Sequence, residues 1–192
     1  MTMKLFDKLK FEDFATAVIR NSIKEVKSVK TSNNDIEEKA KSIVQDFEFT
    51  VPVLLKDQTD SEIKLEREED GSQKAIAIFT VPFDGNHEIL NLKPAKDCVD
   101  LPGSFELDKG KIHFKIKIDS DNIYISEEWQ KYIINESINT MAKIETNLAI
   151  LKNEYEQFKT ELYPLTVNLL LARERELQGK EFIEKNINTF NP

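Results

Sequence analysis

Apolar residues recur at alternating steps of three and four from Met141 to Ala172: Met141, Ile144, Leu148, Leu151, Tyr155, Phe158, Leu162, Leu165, Leu169 and Ala172. An α-helix turns every 3.6 residues, so this spacing lays all of them on one stripe. The pattern persists well past the three or four heptads that mark a coiled-coil seam. At about 1.5 Å per residue the seam is roughly 45 Å long, and each large side chain removed from water is worth about 1.5–3 kcal/mol. The stripe must therefore be covered, by a second copy, by a partner subunit or by the chain's own helices. With Met141 at heptad position a, Glu154 falls at g and Lys159 at the following e, an attractive pair in a parallel arrangement, so a parallel homodimer is the favoured self-assembly.

The helix carrying the seam is predicted over 126–187. Ser126 offers an N-cap, and Glu127 and Glu128 sit in the first turn, where they favour the helix dipole. Pro164 interrupts this stretch, and an interior proline costs about 3 kcal/mol. Two forms follow: one rod bent at Pro164, or a helical hairpin turning near Tyr163. The rod is favoured, because the register continues through Leu162, Leu165 and Leu169 and no Gly, Asn or Asp stop signal directly precedes Pro164.

Upstream, 5–27 has helical periodicity, with Phe11, Phe14, Ala15, Val18, Ile19, Ser22 and Val26 near one face. Thr31-Ser32-Asn33-Asn34 breaks it. Asn34 with Glu37 resembles a capping box opening a second helix through Ile36, Ala40, Ile43 and Val44. From Asp46 the period falls to two: Phe47, Phe49, Val51, Val53 and Leu55 predict a strand that Pro52 restricts to a sheet edge. Glu62 to Glu68 alternates again, Glu69-Asp70-Gly71-Ser72 turns, and Lys74 to Phe83 is apolar on both faces, as a central strand would be. A second hairpin joins Ser104–Asp108 to Lys111–Ile118 through Lys109-Gly110. The fold class is thus α+β: two N-terminal helices on a small, mainly antiparallel sheet, then a long coiled-coil-type helix kinked or turned near Pro164. The corresponding organisation is an α+β domain over 1–125 and a helical oligomerisation or partner-binding region over 126–192.

Charge and composition narrow the function. The chain has 192 residues, a net charge of −8 and one cysteine, with a pI near 5.0. That balance opposes sequence-independent binding to phosphate backbones, so nucleic acid is not an expected partner. A single thiol, Cys98, rules out an intramolecular disulfide or a multi-cysteine zinc site and suits a reducing compartment. Charges at Lys4, Asp7, Lys8 and Lys10 interrupt any signal-peptide core, and no apolar run approaches the roughly 20 residues that cross a bilayer. A cytoplasmic protein without a membrane partner is expected.

The stretch from Val81 to Pro94 leaves the central strand through Pro82, Phe83, Gly85 and Asn86 and closes on Leu92, Lys93 and Pro94. It resembles a set of small, largely uncharacterised bacterial proteins. In them a hydrophobic-Pro-Phe-x-Gly-Asp/Asn stretch leads to a hydrophobic-Lys/Arg-Pro end, a short β segment and a long C-terminal helix ending in basic residues, matched here by Arg173 and Arg175. The resemblance implies a recurrent fold and a bacterial setting linked with mobile or defence-related loci; it implies no particular reaction.

Four groups of residues could carry chemistry. Glu62 and Lys64 share one face of a strand, an arrangement in which metal-dependent nucleases hold a divalent cation and orient water, provided another acid such as Asp46, Asp57 or Asp60 converges. Asp84, His87 and Glu88, with His113, could approach a metal, although turn-forming and exposed polar roles account for them better. Cys98 carries no sequence signal for an activating base, and a nucleophilic role would require His87 or His113 to come close in the fold. Lys111, Lys115 and Lys117 form a basic strand face without the interleaved aromatics that stack on bases. No Gly-rich phosphate loop or nucleophile elbow is present. The expected function is a non-enzymatic scaffold or accessory subunit of a multi-protein assembly, needing no cofactor or metal and joined through Met141, Ile144, Leu148, Leu151, Tyr155, Phe158, Leu162, Leu165 and Leu169. The alternative is a small metal-dependent nuclease using Glu62 and Lys64.

Overall fold

A computed structural model describes residues 4–30, 35–68 and 71–188, with the side chains of 187 and 188 excepted. The architecture is mixed α+β: N-terminal helices α1 (Phe11–Ser28) and α2 (Ile36–Gln45), a sheet of antiparallel strands, and the long helix α3 (Glu127–Asn188). The strands are β1 (Leu9–Lys10), β2 (Val53–Leu54), β3 (Asp60–Arg67), β4 (Gln73–Asp84), β5 (Leu92–Lys93), β6 (Phe105–Asp108) and β7 (Lys111–Ile118). No described helix is long and apolar enough to cross a membrane.

The chain forms two compact units, interleaved in sequence: 1–11 with 49–153, and 12–48 with 154–192. In the first, β4 is central, pairing antiparallel with β7 on one side and with β3 and then β2 on the other, while β6 pairs with β7. β4 is apolar on both faces, as a central strand requires. Ala75, Ala77, Phe79, Val81 and Phe83 are buried on one face, facing Ile112, Phe114, Ile116 and Ile118 of β7, and Ile76 is buried on the other. Phe79 stacks on Phe114 with ring centroids 5.2 Å apart. Lys109 and Gly110 turn β6 into β7 with positive φ at both positions (40° and 82°), the primed turn that matches strand twist. A separate parallel pair ties β1 to β5, Leu9 opposite Leu92.

The expected strand over 47–55 is corrected by the structure. Only Val53 and Leu54 are strand, and the buried residues are Pro52 and Leu54, while Val53 is 63% exposed. Proline supplies no N–H for a ladder, so regular pairing begins only after Pro52. The edge then breaks again: Val53 faces Asp84 but Asp60 faces Thr80. The short 3-10 turn Lys56–Gln58 takes up the shift. It lies next to Pro82, whose missing N–H falls on this side of β4 and whose carbonyl accepts from Leu55 N–H at 2.8 Å.

The second unit is helical. Val26 of α1, Ala40 and Ile43 of α2 and Leu170 of α3 form its buried cluster, with Val29, Ile36, Phe47, Tyr163, Val167 and Leu169 packed against it. The start of α2 is capped by Asp35, whose carboxylate accepts from the N–H groups of Glu37 and Glu38. Asn34, expected to cap, lies outside the described residues together with 31–33, as do Glu69 and Asp70 of the first hairpin turn.

Helix α3 continues through Pro164 without a break, which excludes the helical hairpin. Pro164 and Thr160 both lie on the exposed side. The carbonyl of Thr160, deprived of its i+4 donor, can therefore take water instead of being stranded in the core. Ser126 caps the helix as expected, accepting from Trp129 N–H at 3.3 Å.

Candidate interaction surface

Gly85 and Asn86 do the local work from which the candidate surface is built. Gly85 has φ +116°, and a Cβ there would meet the carbonyl oxygen of Thr50 at 2.9 Å and the Cα of Pro52 at 3.0 Å. Only glycine allows so close an approach. Asn86 then grips Thr50 from both sides: its Oδ1 accepts from Thr50 N–H at 2.7 Å, and its own N–H donates to Thr50 O at 2.9 Å. Leu92 and Lys93 of the same stretch pair with β1. The Pro82–Pro94 motif is therefore a buckle that fixes the irregular segment 49–54.

That segment forms one wall of an open groove of about 540 Å³; Glu145, Leu148, Ala149 and Lys152 of α3 form the other. The groove is mainly apolar, with Val53 its most exposed large apolar side chain. Glu145 is held by Lys56 at 2.9 Å. The α3 wall is fixed a turn away by Asn147, which is fully buried. Its Oδ1 accepts from Val99 N–H at 2.8 Å and its Nδ2 donates to Val99 O at 2.9 Å. This satisfies a loop backbone in the manner of a strand partner. Because the bonds of β2 with β4 run through Val53 and Leu55, the N–H and C=O of Leu54 turn to the side away from β4.

The seam residues divide. Ile144, Leu148, Leu151, Tyr155, Phe158 and Leu162 are buried within the chain, so they need no second copy to leave water. Met141 and Leu169 are half-buried, and Leu165 is 37% exposed. Beyond Leu162 the buried positions are Thr166 and Leu170. Steps of four thus replace the heptad, and burial leaves the a/d stripe.

The charged constellations pair internally. Glu62 and Lys64 bond to each other at 2.5 Å on exposed β3. Asp60 accepts from Ser61 N–H, and among the described residues no group of three His, Cys, Asp or Glu is placed to hold a metal ion. Of the acids that the nuclease reading weighed, Asp60 lies on β3 itself, two residues from Glu62 on the same face, whereas Asp46 and Asp57 lie off that strand. On the same face Lys115 and Lys117 reach diagonally across β4 to Glu66 (2.8 Å) and Glu68 (3.0 Å). Ile76 is buried beneath them, where lysine stems can cover it. The bond and charge of Glu68 hold the Lys117 ammonium above the usual lysine range. Lys74 likewise keeps the Asp119 carboxyl below the ordinary carboxylate range. His113 shares a hydrogen bond with Thr80 at 2.9 Å, and Cys98 is half-buried with its sulfur 3.9 Å from Val99 O.

In the helical unit Tyr155 donates to Phe47 O at 3.2 Å, and Lys159 bridges Glu48 at 3.0 Å, which holds the ammonium above its ordinary value. Arg173 donates to Val29 O and pairs with Glu176. Sequence reasoning missed Asn147, because a polar residue at a heptad flank has the pattern of a solvated one. It also missed the groove, which depends on a segment taken for regular strand. Comparison with protein-family models, with curated proteins and with solved structures returned no match.

Proposed function

We propose that the protein is a non-enzymatic scaffold or accessory subunit that holds a partner protein in the groove between segment 49–54 and α3. The observation that carries this reading is the groove itself, an open and mainly apolar concavity whose walls are fixed by Asn86 and Asn147. Its occupant is an extended apolar segment of the partner. Such a segment pairs with the outward backbone groups of Leu54, as in strand addition, rests on Phe49, Val53, Leu148 and Ala149, and offers an acidic residue to Lys152. Neutralisation of the charged clusters within the chain fits a binding role better than acid–base chemistry, which calls for convergent groups with perturbed pKa values in a cleft.

The test compares tagged wild type with Ala149→Arg, a change on an exposed helical position that retains helix propensity. Wild type is expected to retain a stoichiometric partner whose cross-links fall on 49–54 and 145–152, and Ala149→Arg to lose it while keeping the same circular dichroism. A partner held equally by both proteins would overturn the reading.

A further inference from the structure

The outer edge of the sheet in the first unit is β3, eight residues that among the described residues pair on one side only and are exposed throughout. Its hydrogen-bonding phase follows from the turn: Glu68 N–H donates to Ser72 O at 2.8 Å. The even-numbered residues of β3 therefore bond toward β4, and Ser61, Ile63, Leu65 and Arg67 turn their N–H and C=O groups outward. Ile63 and Leu65, opposite Ala77 and Ala75 on the core face, remain 37% and 40% exposed. An edge of this length with apolar residues on its covered face is a template for another strand.

We propose that the occupant of this edge is the β3 strand of a second copy, added antiparallel about a two-fold axis through Ile63. The charges select both the partner and the register. Centred on Ile63, each Glu62 faces the other copy's Lys64, twice by symmetry. Centred on Lys64, lysine faces lysine and Glu62 faces Glu66; centred on Leu65, Lys64 faces Glu66 only at the expense of the Glu66–Lys115 pair, and Glu62 faces Glu68. Like charges directly opposite are destabilising. The Ile63 register needs only that the Glu62–Lys64 pair within each strand be exchanged for the same pair between strands. It leaves Glu66 with Lys115 and Glu68 with Lys117, so that Glu66 meets Asp60 across the interface already neutralised. Ile63 meets its own mate on the core face, and Leu65 lies beside Ser61. The interface is isologous, and it is separate from the groove.

The test needs no unknown ligand: equilibrium ultracentrifugation of the full chain with charge variants at exposed β3 positions. Wild type is expected to show a concentration-dependent dimer, with slowed amide exchange at Ile63 and Leu65 as dimer forms. Lys64→Glu and Glu62→Lys each place two like pairs in the interface and should weaken the dimer at least about tenfold. An equimolar mixture of the two variants restores complementarity, and so does the double change Glu62→Lys with Lys64→Glu; both should dimerise as wild type does. A wild type that stays monomeric, or a dimer indifferent to the single changes, would overturn the proposal. Ala149→Arg should leave the dimer intact, so loss of groove binding and loss of edge pairing are read separately.

Discussion

The two stretches of α3, 127–153 in the sheet-bearing unit and 154–188 in the helical unit, carry one continuous apolar repeat but use it differently. In the first, Ile144, Leu148 and Leu151 are buried at heptad spacing, and the polar residue beside them, Asn147, is buried as well and occupied by a loop backbone. In the second, burial follows Tyr155, Phe158 and Leu162 and then steps by four to Thr166 and Leu170. Thr166 turns its hydroxyl to the Leu162 carbonyl at 2.8 Å. A straight helix drifts against a strict seven-residue repeat, so the second stretch rotates its buried face off the seam as it meets α1 and α2. A long heptad run measures how much apolar stripe needs covering; it does not say that another chain covers it.

The sharpest way to break this contrast is to cut side chains along the repeat. Leu151→Ala and Leu162→Ala should each cost about 2–5 kcal/mol, while Leu165→Ala, at an exposed position in the same pattern, should stay within about 1 kcal/mol. Chemical denaturation followed by circular dichroism decides it, and equal losses at all three would restore the single-seam view. Asn147→Ala strands the N–H and C=O of Val99 and should cost about 1–3 kcal/mol. Amide exchange should locate that loss in the first unit, with Val99 the site most affected.

A smaller effect sharpens the polar side of the comparison. The Lys159 pKa is raised by Glu48, so this tie contributes fully below the unfolded lysine value of about 10.4 and fades as pH rises through the folded value. The pair is partly exposed, which limits it to about 1 kcal/mol or less. The difference in melting temperature between wild type and Glu48→Gln should therefore be small at neutral pH and close in the alkaline range. For Asp119 the sign reverses. Its pKa is lowered by Lys74, so that contribution is present above the unfolded carboxylate range and is lost as pH falls.

Much of the fold was legible because period is a local property. β4 showed itself by apolar residues on both faces, β6 and β7 by a Lys109-Gly110 turn between alternating runs, and α3 by its repeat. The segment 49–54 was not legible in the same way, since one missing N–H at Pro52 reversed which side chains are buried. The two-residue pair of β1 with β5 is too short to have a period at all. The groove was partly visible, as Leu148 lay in the seam, but Asn86 and Asn147 act on residues far away in sequence. Bonds to Thr50 and Val99 leave no trace in local pattern. The pairing of Lys115 with Glu66 likewise depends on strand register, which alternation alone does not supply.

Interleaving of the two units also sets a timetable for synthesis. Val26, Ala40 and Ile43 leave the ribosome well before Leu170, which completes their cluster. Domains whose segments are contiguous can fold as they appear, at about 5–20 residues per second of translation. Here the helical cluster cannot close until α3 is made. The nascent chain therefore carries the apolar faces of α1 and α2 uncovered until Leu170 of α3 follows them.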